Sequence, residues 1–429
     1  MKKLLLSAAF LAACASLSAQ KFTYVPWTDN GYLTGSAISS DGRYVAGNDL
    51  AGQAFIYDTQ VGQIKYFASP DLDEDTQDTQ DADVRSIGCD GIGVGYLASQ
   101  ACQFNFATGE YTPLRDESSI ANWRSEDGTS TAGFTYTSAY EWTPYYEKDG
   151  EVFELPQPTE EWLGYKNMGL SVTGGAADGS ILCGAAQDNF ATKPLCFWVR
   201  NLDGKTYSLI PASKRFYDAS IDLDGPQEYD CFGDAAISAN GKWICLNVHR
   251  KVDEDGGMTI ARYDVLNDTV EYINCPDVSP IEWYYANSIS NDGTIVGYIE
   301  DQVNYGRVGM ICKAGETEAK RIAEVYPDVA ELAQLDANQL NTPCAITPDG
   351  RYIVGFGYVD YDDESLCYGT WYFDTKGGED AVERVAAADG AAQVVASYDV
   401  DGKAKHISGT NRGLRINKLA NGKVRKVVK

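Results

Sequence analysis

Large aromatic residues stand just ahead of several apolar, strand-like runs in this chain: Trp27 in "VPWTDNGY", Trp162 in "EEWLGYKN", and Trp283 with Tyr284 in "IEWYYAN". Polar partners occupy similar places, Asp234 in "QEYDCFGDA" and Asn287 at the end of the Trp283 segment. A flat ring beside a carboxylate or an amide suits sugar and peptide recognition, because stacking supplies apolar area and hydrogen bonds fix orientation. These six are the candidate ligand-binding residues. Other chemistries have less material. Two histidines, His249 and His406, exclude a three-histidine metal centre and leave little for a histidine-dependent dyad. No Gly-x-Ser-x-Gly elbow occurs, and no phosphate-cradling glycine loop precedes a helix. Residues 71–83 begin like a calcium loop, with Asp71, Asp73 and Asp75, but lack the glycine at the sixth place and the acid at the twelfth. A solvated acidic loop is expected there. No cofactor and no metal are therefore expected. A pair of carboxylates in a glycan-active enzyme is the catalytic alternative, and a structural surface protein is the third reading.

The elements that must position these residues repeat along the chain. "AISSDGRYVAGND" at 37–49, "SISNDGTIVGYIE" at 288–300 and "AITPDGRYIVGFG" at 345–357 share one pattern, a strand, a tight turn and a second strand. The turn glycines are Gly42, Gly91, Gly128, Gly179, Gly241, Gly293 and Gly350. Behind each turn comes a hairpin, such as "QAFIYDTQVGQIKYF" at 53–67, with the last one beginning at 368. Four strands per unit in seven units predict a seven-bladed β-propeller, in an all-β fold. In each turn the aspartate should accept a hydrogen bond from the backbone two residues on, and the glycine should take positive φ. Asn240 replaces the aspartate in the fifth copy, which keeps the turn and loses the charge; that argues against a ring of catalytic or metal-binding aspartates.

The net charge is −27 in 429 residues, which opposes a nucleic-acid partner or an anionic membrane surface. The charge is uneven: nine of the 35 Lys and Arg residues, and a single acid, Asp401, fall in residues 401–429. A basic module on an acidic body is expected. The first residues, "MKKLLLSAAFLAACASLSAQ", have the basic, apolar and small-residue parts of a secretory signal. Cleavage after Ala19 would leave Gln20 as the mature end; the alternative is a lipobox, "LAAC", that lipidates Cys14. No later apolar run is long enough for a transmembrane segment. Most of the remaining cysteines lie in strand-like runs and are expected to be packing residues.

Two resemblances add to this reading. The turn pattern, with "TPDG" at 347–350 and "SSDG" at 39–42, resembles the WD-like propeller repeats of bacterial periplasmic proteins. Residues 393–429 resemble the C-terminal sorting domain of the Bacteroidetes type IX secretion system, in "YDVDGK" at 398–403, "RGLRINKLANGK" at 412–423 and "VRKVVK" at 424–429. That resemblance implies a partner in the outer-membrane secretion machinery, and export to the cell surface or the medium after periplasmic transit. The expected organisation is a signal peptide at 1–19, a propeller at 20–390 and a small β sorting module at 391–429. The expected function is binding of a glycan or protein ligand through the loop-rich face.

Overall fold

The computed structural model describes residues 21–26, 33–49, 52–67, 81–137, 142–157, 169–187, 195–211, 231–250, 257–275, 282–301, 306–338, 340–362, 365–376, 394–398, 404–405, 414–419 and 424–428. Seven antiparallel four-stranded sheets follow one another between Lys21 and Asp374, forming a seven-bladed β-propeller. The innermost strands are Leu33–Ile38, Ala82–Ile87, Ser119–Arg124, Gly169–Gly175, Cys231–Ile237, Glu282–Ile289 and Asn341–Ile346. Strand side chains alternate between the two faces of a sheet, and here both faces are covered by neighbouring blades. The core is accordingly a series of inter-blade layers. Ala46 and Ile56 of blade one meet Val84 and Phe104 of blade two, and Cys245 and Ile260 of blade five meet Ile289 and Met310 of blade six. The seven cysteines with described side chains are free thiols, four of them buried in these layers.

The repeated turn is built as its residues require. In all seven copies the Asp or Asn side chain accepts a hydrogen bond from the backbone N–H two residues on, at 2.9–3.0 Å. The seven turn glycines have φ between 67° and 95°. Asn240 makes the same bond as the aspartates. Each inner strand then carries an extra residue as a bulge, for example Arg85 between Val84 and Ser86, and Asn287 between Ala286 and Ser288. The bulge explains the glycine of "IVG" in the second strand. A Cβ on Gly297 would lie 1.8 Å from the Tyr285 carbonyl oxygen, and one on Gly95 would lie 1.8 Å from that of Asp83. Blade five has Leu246 there, and its inner strand bows out over three residues between Phe232 and Ala236.

Two outer strands depart from the repeat. In blade seven the outer strand comes from the other end of the chain, and the second arm of the hairpin that begins at 368 lies outside the described residues. That strand is Lys21–Tyr24, paired antiparallel with Ser365–Asp374 in the register Lys21↔Asp374 to Tyr24↔Trp371. Phe22 stacks on Trp371 at 5.5 Å, so the start of the propeller closes the ring against its last blade. In blade six the outer strand shrinks to Lys320–Arg321, and the helices Ile322–Val325 and Ala330–Ala337 take its place. Asp336 on the second helix accepts a hydrogen bond from the Gly309 N–H at 3.1 Å, satisfying a sheet-edge donor.

The chain divides into a unit spanning Lys21–Thr375 and a second unit that holds the tail. The tail is a four-stranded antiparallel sheet, ordered Ala404–Lys405, Val394–Tyr398, Leu414–Leu419, Val424–Val428. Among the described residues, no helix is long and apolar enough to cross a membrane.

Candidate functional site

Antiparallel order puts the connections into each inner strand, and those between second and third strands, on one side of the propeller. The Asp-Gly turns lie on the other. The seven inner strands line a central cavity of about 250 Å³ that reaches from the bulges to these turns.

Two girdles of hydrogen bonds hold its circumference. In the first, the bulged side chain of one blade donates to a carbonyl at the equivalent place in the next. Asn122 Nδ2 donates to Val172 O, Thr173 Oγ1 to Ala235 O and Asn287 Nδ2 to Pro343 O, each at 2.7 Å, and Ser36 Oγ to Val84 O at 3.3 Å. In the second, the turns bond to one another: Ser40 Oγ to Glu126 Oε1 at 2.7 Å, Glu126 N–H to Ala177 O at 2.9 Å, Ala177 N–H to Ala239 O at 2.7 Å, and Asn291 N–H to Pro348 O at 2.9 Å. Polar groups that are mostly half-buried are thus paired between blades. Asn287, expected to meet a ligand, is spent on the first girdle.

On the loop side, blade six presents an organised aromatic row. Strand register pairs Trp283 with Glu300 and Tyr285 with Tyr298, and pairs Glu300 with Arg307 on the third strand. Alternation therefore sends these five side chains to one face of the sheet. Tyr285 and Tyr298 stack at 4.7 Å with 15° between their planes, and Trp283 lies 6.5 Å from Tyr285. The Arg307 guanidinium sits over Tyr298 at 4.9 Å while its Nε donates to Glu300 at 2.7 Å. Burial pushes the Tyr285 hydroxyl up to about 12, with Glu300 adding and Arg307 opposing, so it stays a neutral donor. Trp283 is 39% exposed.

The same alternation corrects the reading of Tyr284. It points to the other face, is buried, and packs with Cys245, Ile260 and Ile273 of blade five. It is a core residue, and its neighbours Trp283 and Tyr285 carry the exposed aromatic surface. Trp27 and Trp162 lie outside the described residues, as do Cys14, Ala19 and Gln20. Asp234 lies in the bowed strand Cys231–Ile237, and its side chain is outside the described set. Among the described residues of this candidate set, Trp283 is the exposed aromatic. Sequence reasoning missed Tyr298, Glu300 and Arg307, although "VGYIE" and "YGRV" stand at fixed distances from the turn glycine and the register could have been counted from it.

Blade two holds the equivalent places with different chemistry. Asp81, Asp83 and Tyr96 correspond to Trp283, Tyr285 and Tyr298, and Arg85 corresponds to Asn287. Arg85 donates from Nε to Asp83 Oδ2 at 2.8 Å and lies over Tyr96 at 5.6 Å. Burial pushes the Asp83 carboxyl up; Arg85 opposes the shift and Asp81 reinforces it.

No family model and no curated protein matches the chain. Among solved structures it is similar to an oligogalacturonate lyase from Vibrio parahaemolyticus, at 13% identity and a TM-score of 0.49, over 83% of this chain and 93% of that one. It is also similar to TolB from Acinetobacter baumannii, at 13% identity and a TM-score of 0.38, over 74% of this chain and 70% of that one. At such identities and TM-scores the likeness assigns no chemistry to this chain.

Proposed function

We propose that this chain is a secreted or cell-surface propeller that binds a glycan or a protein segment on its loop side, with Trp283 as the anchor. The observation that carries this reading is the aromatic row of blade six. An indole 39% exposed stands beside a stacked tyrosine pair, and a Glu300–Arg307 ion pair borders the row. An exposed indole in such a row offers a stacking surface, and the charge pair offers directional hydrogen bonds to hydroxyls or amides. The basic tail and the apolar N-terminal segment support delivery by the outer-membrane secretion machinery, as expected for a sorting module.

The test is a binding screen of the tail-less propeller against glycans and extended peptides, repeated with Trp283→Ala. Removing a buried aromatic anchor costs about 1–3 kcal/mol of binding. The variant should lose that much while its melting temperature holds, because Trp283 is outside the core clusters. Ligands that bind wild type and Trp283→Ala equally would overturn the anchor. Finding none in either class would overturn the function.

A further inference from the structure

The aromatic row of blade six carries more than an anchor. The ring faces of its tyrosines are engaged: Tyr285 and Tyr298 stack on one another at 4.7 Å, and the Arg307 guanidinium lies over Tyr298 at 4.9 Å. Their hydroxyls are not. Among the described residues neither phenol oxygen has a hydrogen-bond partner, and both side chains are half-buried with the oxygen reaching solvent. The two rings leave one face of the sheet from neighbouring strands with 15° between their planes, so the hydroxyls stand side by side. Burial pushes the Tyr285 hydroxyl up to about 12 and pushes that of Tyr298 up as well. Both stay protonated, and each can donate as well as accept.

The surroundings narrow what could meet this pair. The strand Ile295–Asp301 that carries Tyr298 is paired on both edges, with Glu282–Ile289 and with Arg307–Cys312. Its backbone is used within the sheet, so an extended peptide cannot bind here by adding a strand. The charge of Arg307 is matched by Glu300 at 2.7 Å, and the chain as a whole carries −27. An anion therefore gains little at the row and is repelled on approach. Trp283, 39% exposed and 6.5 Å from Tyr285, adds apolar area beside the hydroxyls. An uncharged molecule with an apolar ring face and several hydroxyls fits all of these.

We propose that the blade-six row binds a neutral, pyranose-based glycan, one sugar ring packing on Trp283 while its hydroxyls bond to Tyr285 and Tyr298. This rests on the reading of the row as the loop-side binding surface, and narrows its ligand from a glycan or protein segment to an uncharged sugar chain.

The test is calorimetric titration of the full chain with cellohexaose, maltohexaose and mannohexaose. Hexagalacturonate is the charged counterpart, and a capped polythreonine peptide brings hydroxyls without a sugar ring. At least one neutral hexasaccharide should bind at least about tenfold more tightly than either control. The double variant Tyr285→Phe/Tyr298→Phe removes two oxygens that have no partner in the fold, so its melting temperature should hold. Its affinity for that sugar should fall at least about fivefold, the scale of two neutral hydrogen bonds. A neutral sugar that binds wild type and the folded double variant equally overturns the proposal. So does binding of hexagalacturonate or the peptide that is lost in Trp283→Ala while no neutral sugar binds; that result leaves the anchor standing and removes only the sugar class. Absence of Trp283-dependent binding by every probe removes the anchor and the proposal together. The comparison among probes on the wild-type chain stands even where a variant fails to fold.

Discussion

The conversion of one aspartate to asparagine within the repeat, at Asn240, already performs an experiment on the turn. Its side chain bonds to the Lys242 N–H at 3.0 Å, as Asp349 bonds to that of Arg351. The group that matters is the acceptor oxygen and not the charge. Asp349→Asn should therefore change stability by under about 0.5 kcal/mol, the scale of a neutral surface substitution. Gly350 is different. Its φ is 69°, and a Cβ there would make only an ordinary contact, with Ser290 Oγ at 3.9 Å. The penalty for Gly350→Val is thus conformational, and should exceed about 1 kcal/mol because a β-branched residue resists the left-handed region. Urea unfolding of both variants checks the pair, and a larger loss for the asparagine would refute the account of the turn.

At the scale of elements, the replaced outer strand of blade six creates a titrating latch. Burial pushes the Asp336 carboxyl up to about 6, opposed by its bonds from Asn341 and the Gly309 N–H and by Arg321, and reinforced by Glu324. An unfolded aspartate titrates near about 3.9. Between these values the folded state holds more protons than the unfolded one, so stability falls as pH rises. This contribution is fully present below about pH 4 and is lost as pH climbs through about 6, leaving a cost of about 1–3 kcal/mol at neutral pH. Asp336→Asn keeps an acceptor oxygen for Gly309 and removes the charge. It should be more stable than wild type at pH 7.5, with the advantage shrinking towards pH 4. Denaturant midpoints of the two proteins across that range give the answer; a difference independent of pH would show that the latch does not titrate.

For the whole molecule, ring closure lies entirely between Lys21 and Thr375, with Lys21–Tyr24 paired to the last long strand. Deleting residues 393–429 removes only the tail sheet, so the propeller should keep its melting temperature within a few degrees. In the source organism, the same deletion should trap the protein in the periplasm if the tail is the export address. Cell fractionation with an antibody to the propeller reads this directly, and truncated protein at the surface would count against a sorting role.

The number of blades, the Asp-Gly turns and the separate basic tail were legible in the amino-acid order, because each depends on neighbours a few residues apart. Turn chemistry is local, and a period of about fifty residues survives substitution at any one copy. The ring closure was not legible: Phe22 meets Trp371 across nearly the whole chain, and four residues carry too little pattern to announce a strand. Which aromatics face a ligand was half legible. "EWYYAN" marks the place, but a one-residue bulge at Asn287 and the strict alternation of a strand decide that Trp283 and Tyr285 share one face with Tyr298 while Tyr284 enters the core. Asn287 itself looked like a ligand group because its type suits one, and only the approach of the next blade's Pro343 carbonyl, 2.7 Å away, assigns it to the girdle.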